Sequence, residues 1–245
     1  MMLSVGVARA DVIFLESFDL PAPAAARFDS TLLVNNWVLY HQWNTGTVTL
    51  GQYDSGSALI RTNSENNFNE VDSPVAIYSF TEINGVQSAS RRTGIYARLN
   101  STDYSTGYLF QHDFDGANTG FSLINLASNT VLKTDYFDYN AGGGLNYNPN
   151  GNPTTMSITL ENTDSGVNWT ISYGSYYTAS GTDNSASQAL GGYGTGLLYR
   201  NLGNADQTFS NYDNLQVSVV PEPSTWALLF LGLGLISLYK RRHTA

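Results

Sequence analysis

Residues 156–160 read Met-Ser-Ile-Thr-Leu, and residues 215–219 read Leu-Gln-Val-Ser-Val. Apolar and small polar side chains alternate strictly in both stretches. Successive side chains of a β-strand point to opposite faces, so this alternation collects the apolar residues on one buried face. A period of two with one solvated face is typical of antiparallel sheets. These stretches therefore predict an antiparallel, all-β protein.

Runs of the same kind recur between residues 31 and 220, and Gly, Asn, Asp and Ser separate them. Short strands with turn residues at regular intervals favour a sandwich or a barrel. We predict an antiparallel β-sandwich (jelly roll) of about twelve strands over residues 11–219. The runs are Leu32–His41, Thr47–Tyr53, Ala58–Thr62, Val75–Phe80, Gly94–Leu99, Tyr108–His112, Phe121–Leu126, Val131–Phe137, Met156–Leu160, Asn168–Tyr173, Gly196–Tyr199 and Tyr212–Val219.

Several stretches read as connections. Asp138–Pro153 is rich in Asn and Gly, and Thr178–Gly192 is rich in Ser, Ala and Gly, so we predict two surface loops. Asp113–Asn118 gathers oxygen ligands around a glycine but lacks the glutamate of a calcium loop, which favours a hairpin turn. Arg91-Arg92 is the only basic pair of the body and is expected in a solvated turn.

Composition excludes several functions. The 245 residues contain no cysteine and carry a formal net charge of −9. The protein therefore has no disulfide, no thiolate nucleophile and no cysteine metal site. A nucleic-acid binder neutralises phosphates with clustered Lys and Arg, so this acidic chain is not expected to bind nucleic acid.

The first ten residues predict export. Ala8-Arg9-Ala10 has the small-x-small pattern of a signal-peptidase site, which would leave Asp11 as the new N-terminus. The apolar run before it is short and has no basic start. We interpret residues 1–10 as a signal-peptide remnant whose true beginning lies upstream; the alternative is an ordinary irregular start.

The C-terminal end has three parts in order. Pro221-Glu222-Pro223 is followed by an uncharged segment, residues 226–239, and then by Lys240-Arg241-Arg242. Leucines cover every side of that segment, which predicts a transmembrane helix with the three bases as its cytoplasmic anchor. A 14-residue helix rises about 21 Å against a hydrocarbon core of about 30 Å, so the anchor suits temporary retention.

Residues 220–242 resemble the PEP-CTERM sorting signal. The resemblance implies that an exosortase, a membrane-embedded transpeptidase of bacteria that make exopolysaccharide, processes the protein. In those terms Pro221, Glu222 and Pro223 are recognition residues of a substrate. The protein would be held transiently in the inner membrane and then reach the periplasm, the cell surface or the extracellular matrix. An ordinary single-pass anchor and a core helix are the alternatives.

The body resembles the concanavalin A-like (laminin-G-like) jelly roll. Glu16-Ser17-Phe18-Asp19 opens it and Tyr212–Val217 closes it, and in that fold the first and last strands lie together. Glu16, Asp19 and Asp213 would then converge. A cation would offset the repulsion of three close carboxylates, so a structural calcium is expected there.

Catalytic residues are less evident. Jelly-roll glucanases carry Glu-x-Asp-x-x-Glu on one strand, and the nearest match, Glu70 to Val75, has Glu70 and Asp72 but lacks the third acid. His41 and His112 are expected to be ordinary strand residues. We therefore predict a protein that is not an enzyme, with a glycoside hydrolase as the alternative.

Aromatic residues suggest a ligand. The chain has 16 Tyr, 11 Phe and 4 Trp, and flat rings pack well against the CH groups of sugars. The sequence thus predicts an exported surface or matrix protein with a carbohydrate-binding sandwich and exopolysaccharide as a partner. The alternatives are a structural or adhesive protein without a defined ligand, and ordinary strand tyrosines. The candidate stacking residues are Tyr104, Tyr108, Tyr136, Tyr139 and Tyr147.

Overall fold

A computed structural model describes twelve parts of the chain. They are residues 10–17, 28–29, 39–44, 47–52, 56–62, 74–83, 91–100, 105–114, 119–137, 153–192, 194–201 and 208–220. Statements about contacts, pairing and absence below refer to these residues.

The described residues form fifteen β-strands. In chain order they are β1 (Asp11–Glu16), β2 (Phe28–Asp29), β3 (Leu39–Asn44), β4 (Thr47–Gln52), β5 (Gly56–Thr62), β6 (Val75–Ile83), β7 (Arg91–Leu99), β8 (Tyr108–Phe114), β9 (Thr119–Asn125), β10 (Thr130–Phe137), β11 (Thr154–Thr163), β12 (Gly166–Tyr173), β13 (Tyr177–Asp183), β14 (Gly194–Asn201) and β15 (Thr208–Val220).

The strands build two sheets. The eight-stranded sheet has the order β13-β12-β11-β6-β15-β4-β3, and β1 also pairs with β15. The seven-stranded sheet has the order β10-β9-β8-β7-β14-β5-β2. Every pairing among the described strands is antiparallel. The predicted antiparallel sandwich is confirmed.

Alternation explains why these residues form strands with a shared core. Met156, Ile158 and Leu160 of β11 are buried, whereas Ser157 and Thr159 between them are partly exposed. Burial of the apolar side chains from both inner faces stabilises the sandwich by about 1.5–3 kcal/mol for each large residue. The core contains Tyr78, Phe80, Ile95, Phe110, Leu123, Ile158, Trp169, Leu197 and Val217, among others.

Each of the twelve predicted runs overlaps a strand, and three strands are additional: β1, β2 and β13. The predicted loop Thr178–Gly192 is wrong at its start, because Tyr177–Asp183 pairs with β12 along its whole length. Backbone ladders do not require large side chains, so a strand of small polar residues forms at an edge. The predicted loop Asp138–Pro153 lies outside the described residues up to residue 152.

The first and last strands pair, as the jelly-roll resemblance implies. Asp11 lies opposite Val219, and Glu16 lies opposite Leu215. The first and last strands of the body therefore lie side by side in the eight-stranded sheet.

A buried polar network closes one end of the sandwich. Arg98 has a left-handed backbone conformation, with φ of 54°, and its Nη1 donates to Asn162 Oδ1 and to the Ala189 carbonyl, both at 2.8 Å. Asn162 in turn donates to the Leu190 carbonyl at 2.7 Å. These bonds connect Ala189 and Leu190 to a strand of each sheet, β7 through Arg98 and β11 through Asn162.

No helix within the described ranges has the length and apolar character needed to cross a membrane. The predicted transmembrane segment, residues 226–239, lies outside those ranges, as do the sorting residues and the basic anchor.

Candidate functional site

The outer faces of the two sheets differ. On β11 to β13 the outward side chains are hydroxyl-bearing and largely solvent-accessible, for example Thr155, Thr170 and Ser180. On β8 the side chains that alternate with the core residues are Leu109, Gln111 and Asp113, and all are buried. Strand β8 is therefore shielded on both sides. A face that sets a few polar groups among buried apolar ones is the better candidate for a ligand site.

Strand register brings four residues into one row across this outer face. Tyr136 pairs with Gly120, Gly120 with Asp113, and Asp113 with Arg92. Neighbouring strands lie about 4.8 Å apart, so the row extends over about 14 Å. We call these four residues the binding row. A parallel row beside it contains Thr134, Ser122, Gln111 and Gly94.

Tyr136 is the exposed member of the binding row, with 62% of its surface accessible. Its partner Gly120 has no side chain, and a Cβ there would lie 2.8 Å from Tyr136 Cδ1. The ring therefore rests against the Gly120 backbone. The absence of a side chain at Gly120 leaves space for the Tyr136 ring close to the sheet, and the rest of the ring is open to a ligand.

Arg92 and Asp113 form a two-point ion pair. Nη2 of Arg92 donates to Asp113 Oδ2 at 2.7 Å, and Nε of Arg92 donates to Oδ1. Such forked pairs are fixed in geometry as well as in energy. Our prediction that Arg91-Arg92 lies in a solvated turn is wrong, because both residues begin strand β7 and the register with β8 places Arg92 opposite Asp113. The ion pair thus fixes the position of the Arg92 guanidinium in the same row as Tyr136, three strands away from it.

Tyr96 lies on the same strand as Arg92 and on the same face. Burial raises the pKa of Tyr96 to about 12, and the charge of Arg92 offsets part of that rise. Its hydroxyl therefore stays protonated at neutral pH and can donate a hydrogen bond.

Tyr108 is not a stacking residue, so that prediction is wrong. Its side chain is 0% exposed, and its hydroxyl donates to Asp183 Oδ2 at 3.0 Å. Asn125 Nδ2 donates to the same oxygen at 2.7 Å. Tyr108 faces inward because it shares the parity of Phe110 on β8. Tyr104, Tyr139 and Tyr147 lie outside the described residues, and Tyr136 alone of the five is seen on a surface.

The predicted calcium site is only partly visible. Glu16 is buried on β1, and Asp213 accepts hydrogen bonds from its neighbour Asn214 at 2.6 and 3.0 Å. Asp19 lies outside the described residues. Among those that are described, no three His, Asp or Glu side chains gather as metal ligands would. The calcium site stays a prediction.

His112 lies on strand β8, as the sequence predicts, and its side chain is buried. Its ring stacks on Phe121 with centroids 4.7 Å apart and lies 5.0 Å from the Tyr173 ring. The Tyr173 hydroxyl donates to the buried Glu82 at 2.9 Å. These groups connect the two sheets and face away from the binding row.

The two predicted acids Glu70 and Asp72 lie outside the described residues. On the outward face of β7 to β10, Asp113 is the carboxylate among the side chains that the structure describes, and Arg92 engages it. Asp135 lies on the opposite side, where the Tyr177 hydroxyl donates to it at 2.7 Å.

Comparison with protein families identifies the C-terminal end. Residues 219–242 match the PEP-CTERM protein-sorting motif. The chain carries a PEP-CTERM tail. That tail implies export and processing by an exosortase, and it accounts for about a tenth of the sequence. No curated protein matches the chain in sequence.

Solved structures resemble the body that precedes the PEP-CTERM tail. The CBM2 module of the evolved Dit of Lactobacillus casei BL23 phage J-1 has a TM-score of 0.60 at 6% identity, covering 86% of this chain and 96% of that one. SCLam, a non-specific endo-β-1,3(4)-glucanase of family GH16, has a TM-score of 0.58 at 11% identity, covering 89% and 94%. Endo-1,3-β-glucanase from Streptomyces sioyaensis has a TM-score of 0.54 at 12% identity, covering 90% and 100%. At these identities the likeness shows the fold alone, a jelly-roll sandwich of the concanavalin A-like kind.

Proposed function

We propose that this is a surface or matrix protein whose sandwich binds a neutral polysaccharide on the outer face of the seven-stranded sheet. One observation carries the proposal: the Tyr136 ring lies on Gly120, in the same row as the Arg92–Asp113 ion pair.

The chemistry of the binding row fits a sugar. A pyranose presents CH groups on its faces and hydroxyls on its edge. The open side of the Tyr136 ring would pack against the CH groups, and its own hydroxyl adds a polar handle. Arg92, whose side chain is 24% exposed, would supply a charged donor, which makes stronger hydrogen bonds to hydroxyls than a neutral donor does, and the buried Asp113 carboxylate holds it in place.

Charge favours a neutral ligand. The positive charge of Arg92 is already paired with Asp113, and the whole chain carries a net charge of −9. An anionic polymer would be repelled, and the described part of the row offers it no unpaired base. Because SCLam and the Streptomyces enzyme are β-glucanases with a similar fold, soluble β-glucans are the first ligands to test.

The described carboxylates favour binding over hydrolysis. Glycoside hydrolases use two carboxyl groups across the scissile bond. The outward face supplies Asp113 within the described residues, and its two oxygens accept hydrogen bonds from Arg92. A hydrolase that uses residues outside the described ranges, such as Glu70, is the alternative function.

The tail determines the route to the surface. We propose that a signal peptide exports the body, that residues 226–239 pause in the inner membrane with Lys240–Arg242 in the cytoplasm, and that an exosortase then cuts near Pro221–Pro223. Exopolysaccharide at the surface would be the natural partner of the sandwich. Mass spectrometry of the mature protein tests this route. We expect the tail to be lost in wild type and retained in Glu222→Ala. An intact tail in the mature wild-type protein would contradict it.

Isothermal titration with laminarin and mixed-linkage β-glucan tests the binding site. We expect wild-type binding, a loss of about fivefold or more in Tyr136→Ala, and near-normal affinity in Tyr136→Phe, because stacking contributes about 0.5–1.5 kcal/mol beyond area burial. Leu190→Ala, an exposed apolar residue elsewhere, is the matched control. Equal affinities of wild type and Tyr136→Ala would exclude this site, and absence of any glycan binding would favour the structural or adhesive alternative.

Product analysis on the same samples separates binding from hydrolysis. The proposal predicts that the β-glucan chains keep their length during prolonged incubation. If wild type shortens the β-glucan chains and Glu70→Gln leaves them at full length, the result would instead support the hydrolase.

A further inference from the structure

Strand β13 forms one edge of the eight-stranded sheet. It pairs with β12 over all seven residues, from Tyr177 to Asp183, without a shift in register. Its other side has no strand partner within the described part of the chain. Thr178, Ser180 and Thr182 point outward and are exposed, so this edge is accessible.

The neighbouring edge strand is more protected against edge pairing than β13. Strand β10 ends the seven-stranded sheet on the same flank, since the Tyr177 hydroxyl of β13 reaches Asp135 of β10. Strand β10 carries a bulge between Val131 and Lys133 and contains a lysine, two usual devices against edge pairing. Strand β13 reads Tyr-Thr-Ala-Ser-Gly-Thr-Asp, with no lysine, proline or bulge. A straight edge of this kind is a template for a further strand.

The sequence of β13 is complementary to itself when two copies run antiparallel. Full overlap of the seven residues centres the pair on Ser180. Ser180 then faces Ser180 of the second copy, Thr178 faces Thr182, Ala179 faces Gly181, and Tyr177 faces Asp183. Hydroxyl pairs of this kind stabilise cross-strand contacts, and small residues at the centre allow close approach.

Charge also permits this pairing. Asp183 is the only charged residue of β13, and the antiparallel register places it at the opposite end from Asp183 of the second copy. Its carboxylate is held by Ser185, Asn125 and Tyr108 inside its own chain. No like charges of the strand face each other, although the chain as a whole is acidic.

We infer that two copies of this chain associate along β13, which joins their eight-stranded sheets into one continuous sheet with twofold symmetry. Such an interface is isologous, because the same strand is used by both partners. The inference does not depend on what the binding row binds.

The absence of cysteine makes a direct test possible. Residues opposite one another in an antiparallel pair have Cβ atoms about 4.5–5.5 Å apart, which is close to the reach of a disulfide. In the full-length protein, Ser180→Cys should form a covalent dimer under mild oxidation. Thr170→Cys, equally exposed but one strand further in, should stay monomeric as the matched control. A Ser180→Cys protein that cross-links no faster than Thr170→Cys would overturn the inference.

Register is tested by mixing two variants. Thr178→Cys and Thr182→Cys should cross-link to each other when mixed, and each should cross-link poorly alone. Sedimentation should show a dimer for wild type and a folded monomer for Ser180→Lys, because residue 180 is exposed in the single chain. A wild type that stays monomeric at every concentration, or a Ser180→Lys dimer as stable as wild type, would contradict pairing along β13.

Discussion

Tyr136 and Gly120 face each other on adjacent antiparallel strands, and the absence of a side chain at Gly120 is what allows the Tyr136 ring to lie on the sheet. The ring of an exposed tyrosine would otherwise sample several rotamers in solvent. Restricting it before a ligand arrives lowers the entropy lost on binding.

Gly120→Ala should move the ring. The new Cβ would collide with Tyr136 Cδ1 and with the carbonyl of Asp135. We expect weaker β-glucan binding, similar to that of Tyr136→Ala, together with a loss of about 1–3 kcal/mol in the free energy of unfolding. Titration and urea denaturation measure the two effects. Thr130→Ala, at the far end of β10, should change neither, and a Gly120→Ala protein with full affinity would show that the ring position is unimportant.

Arg92→Lys should weaken binding although it keeps the charge. Lysine cannot form the forked pair that Arg92 makes with Asp113. A hydrogen bond to a charged group contributes about 1.5–3 kcal/mol, so we expect roughly a tenfold or larger loss of affinity. Asp113→Asn should have a similar effect, and Asp164→Asn, in the β11–β12 turn, should have none. Normal affinity in both Arg92→Lys and Asp113→Asn would show that the ion pair does not contribute to glycan binding.

Tyr108→Phe should destabilise the fold. The Tyr108 hydroxyl donates to the buried Asp183 and accepts from the backbone N–H of Ala189 at 3.2 Å. Leaving buried polar groups without partners costs about 1–3 kcal/mol. Urea denaturation should show that loss in Tyr108→Phe and almost none in Tyr136→Phe, whose hydroxyl lies at the surface. Equal stability of the two variants would be inconsistent with the described network.

Acid should destabilise the sandwich through Asp183. Burial raises the pKa of Asp183. Hydrogen bonds from Ser185, Asn125 and Tyr108 outweigh the effect of burial and hold the pKa below its usual range. A carboxyl whose pKa is lower in the folded state contributes stability above its unfolded pKa of about 3.9 and loses it as pH falls through the folded value. Stability should therefore fall below about pH 4.

The same reasoning applies to Asp135. Burial raises the pKa of Asp135, but hydrogen bonds from Lys133 and Tyr177 and the charge of Lys133 outweigh burial and hold the pKa below its usual value. The free energy of unfolding, measured from pH 7 to pH 2, should fall less steeply in Asp183→Asn than in wild type. An identical slope in both proteins would show that Asp183 does not contribute to acid unfolding.

Local periodicity predicts strands well because it depends only on neighbouring residues. Met156–Leu160 lies in a strand with the expected buried side, and Leu215 and Val217 are buried as expected, whereas Val219 is only partly buried and Ser218 is buried as well. Periodicity does not predict strand β13, because this strand consists mostly of small polar residues, a composition that is also typical of loops. The tail is predictable for another reason: its three parts occur in a fixed order within a short segment.

The binding row could not be predicted, since it depends on register. Arg92 and Asp113 are 21 residues apart, and only the pairing of β7 with β8 brings them together. Tyr108 was misassigned because β8 carries large side chains on both faces, so its sequence does not show which parity points inward. One signal was available: Gly94 begins a predicted strand run and Gly120 directly precedes another, and glycine in a strand often indicates close approach of a ring or a backbone.

Amide chemical shifts of the protein, recorded while a β-glucan tetrasaccharide is added, show which face of the sandwich holds the sugar. We expect shifts at the four residues of the binding row, Tyr136, Gly120, Asp113 and Arg92, and at Gly94 beside it. Strands β12 and β13 on the other sheet should remain unchanged. Shifts confined to the eight-stranded sheet, or none at all on addition of the glycan, would contradict the proposal that this face holds a polysaccharide.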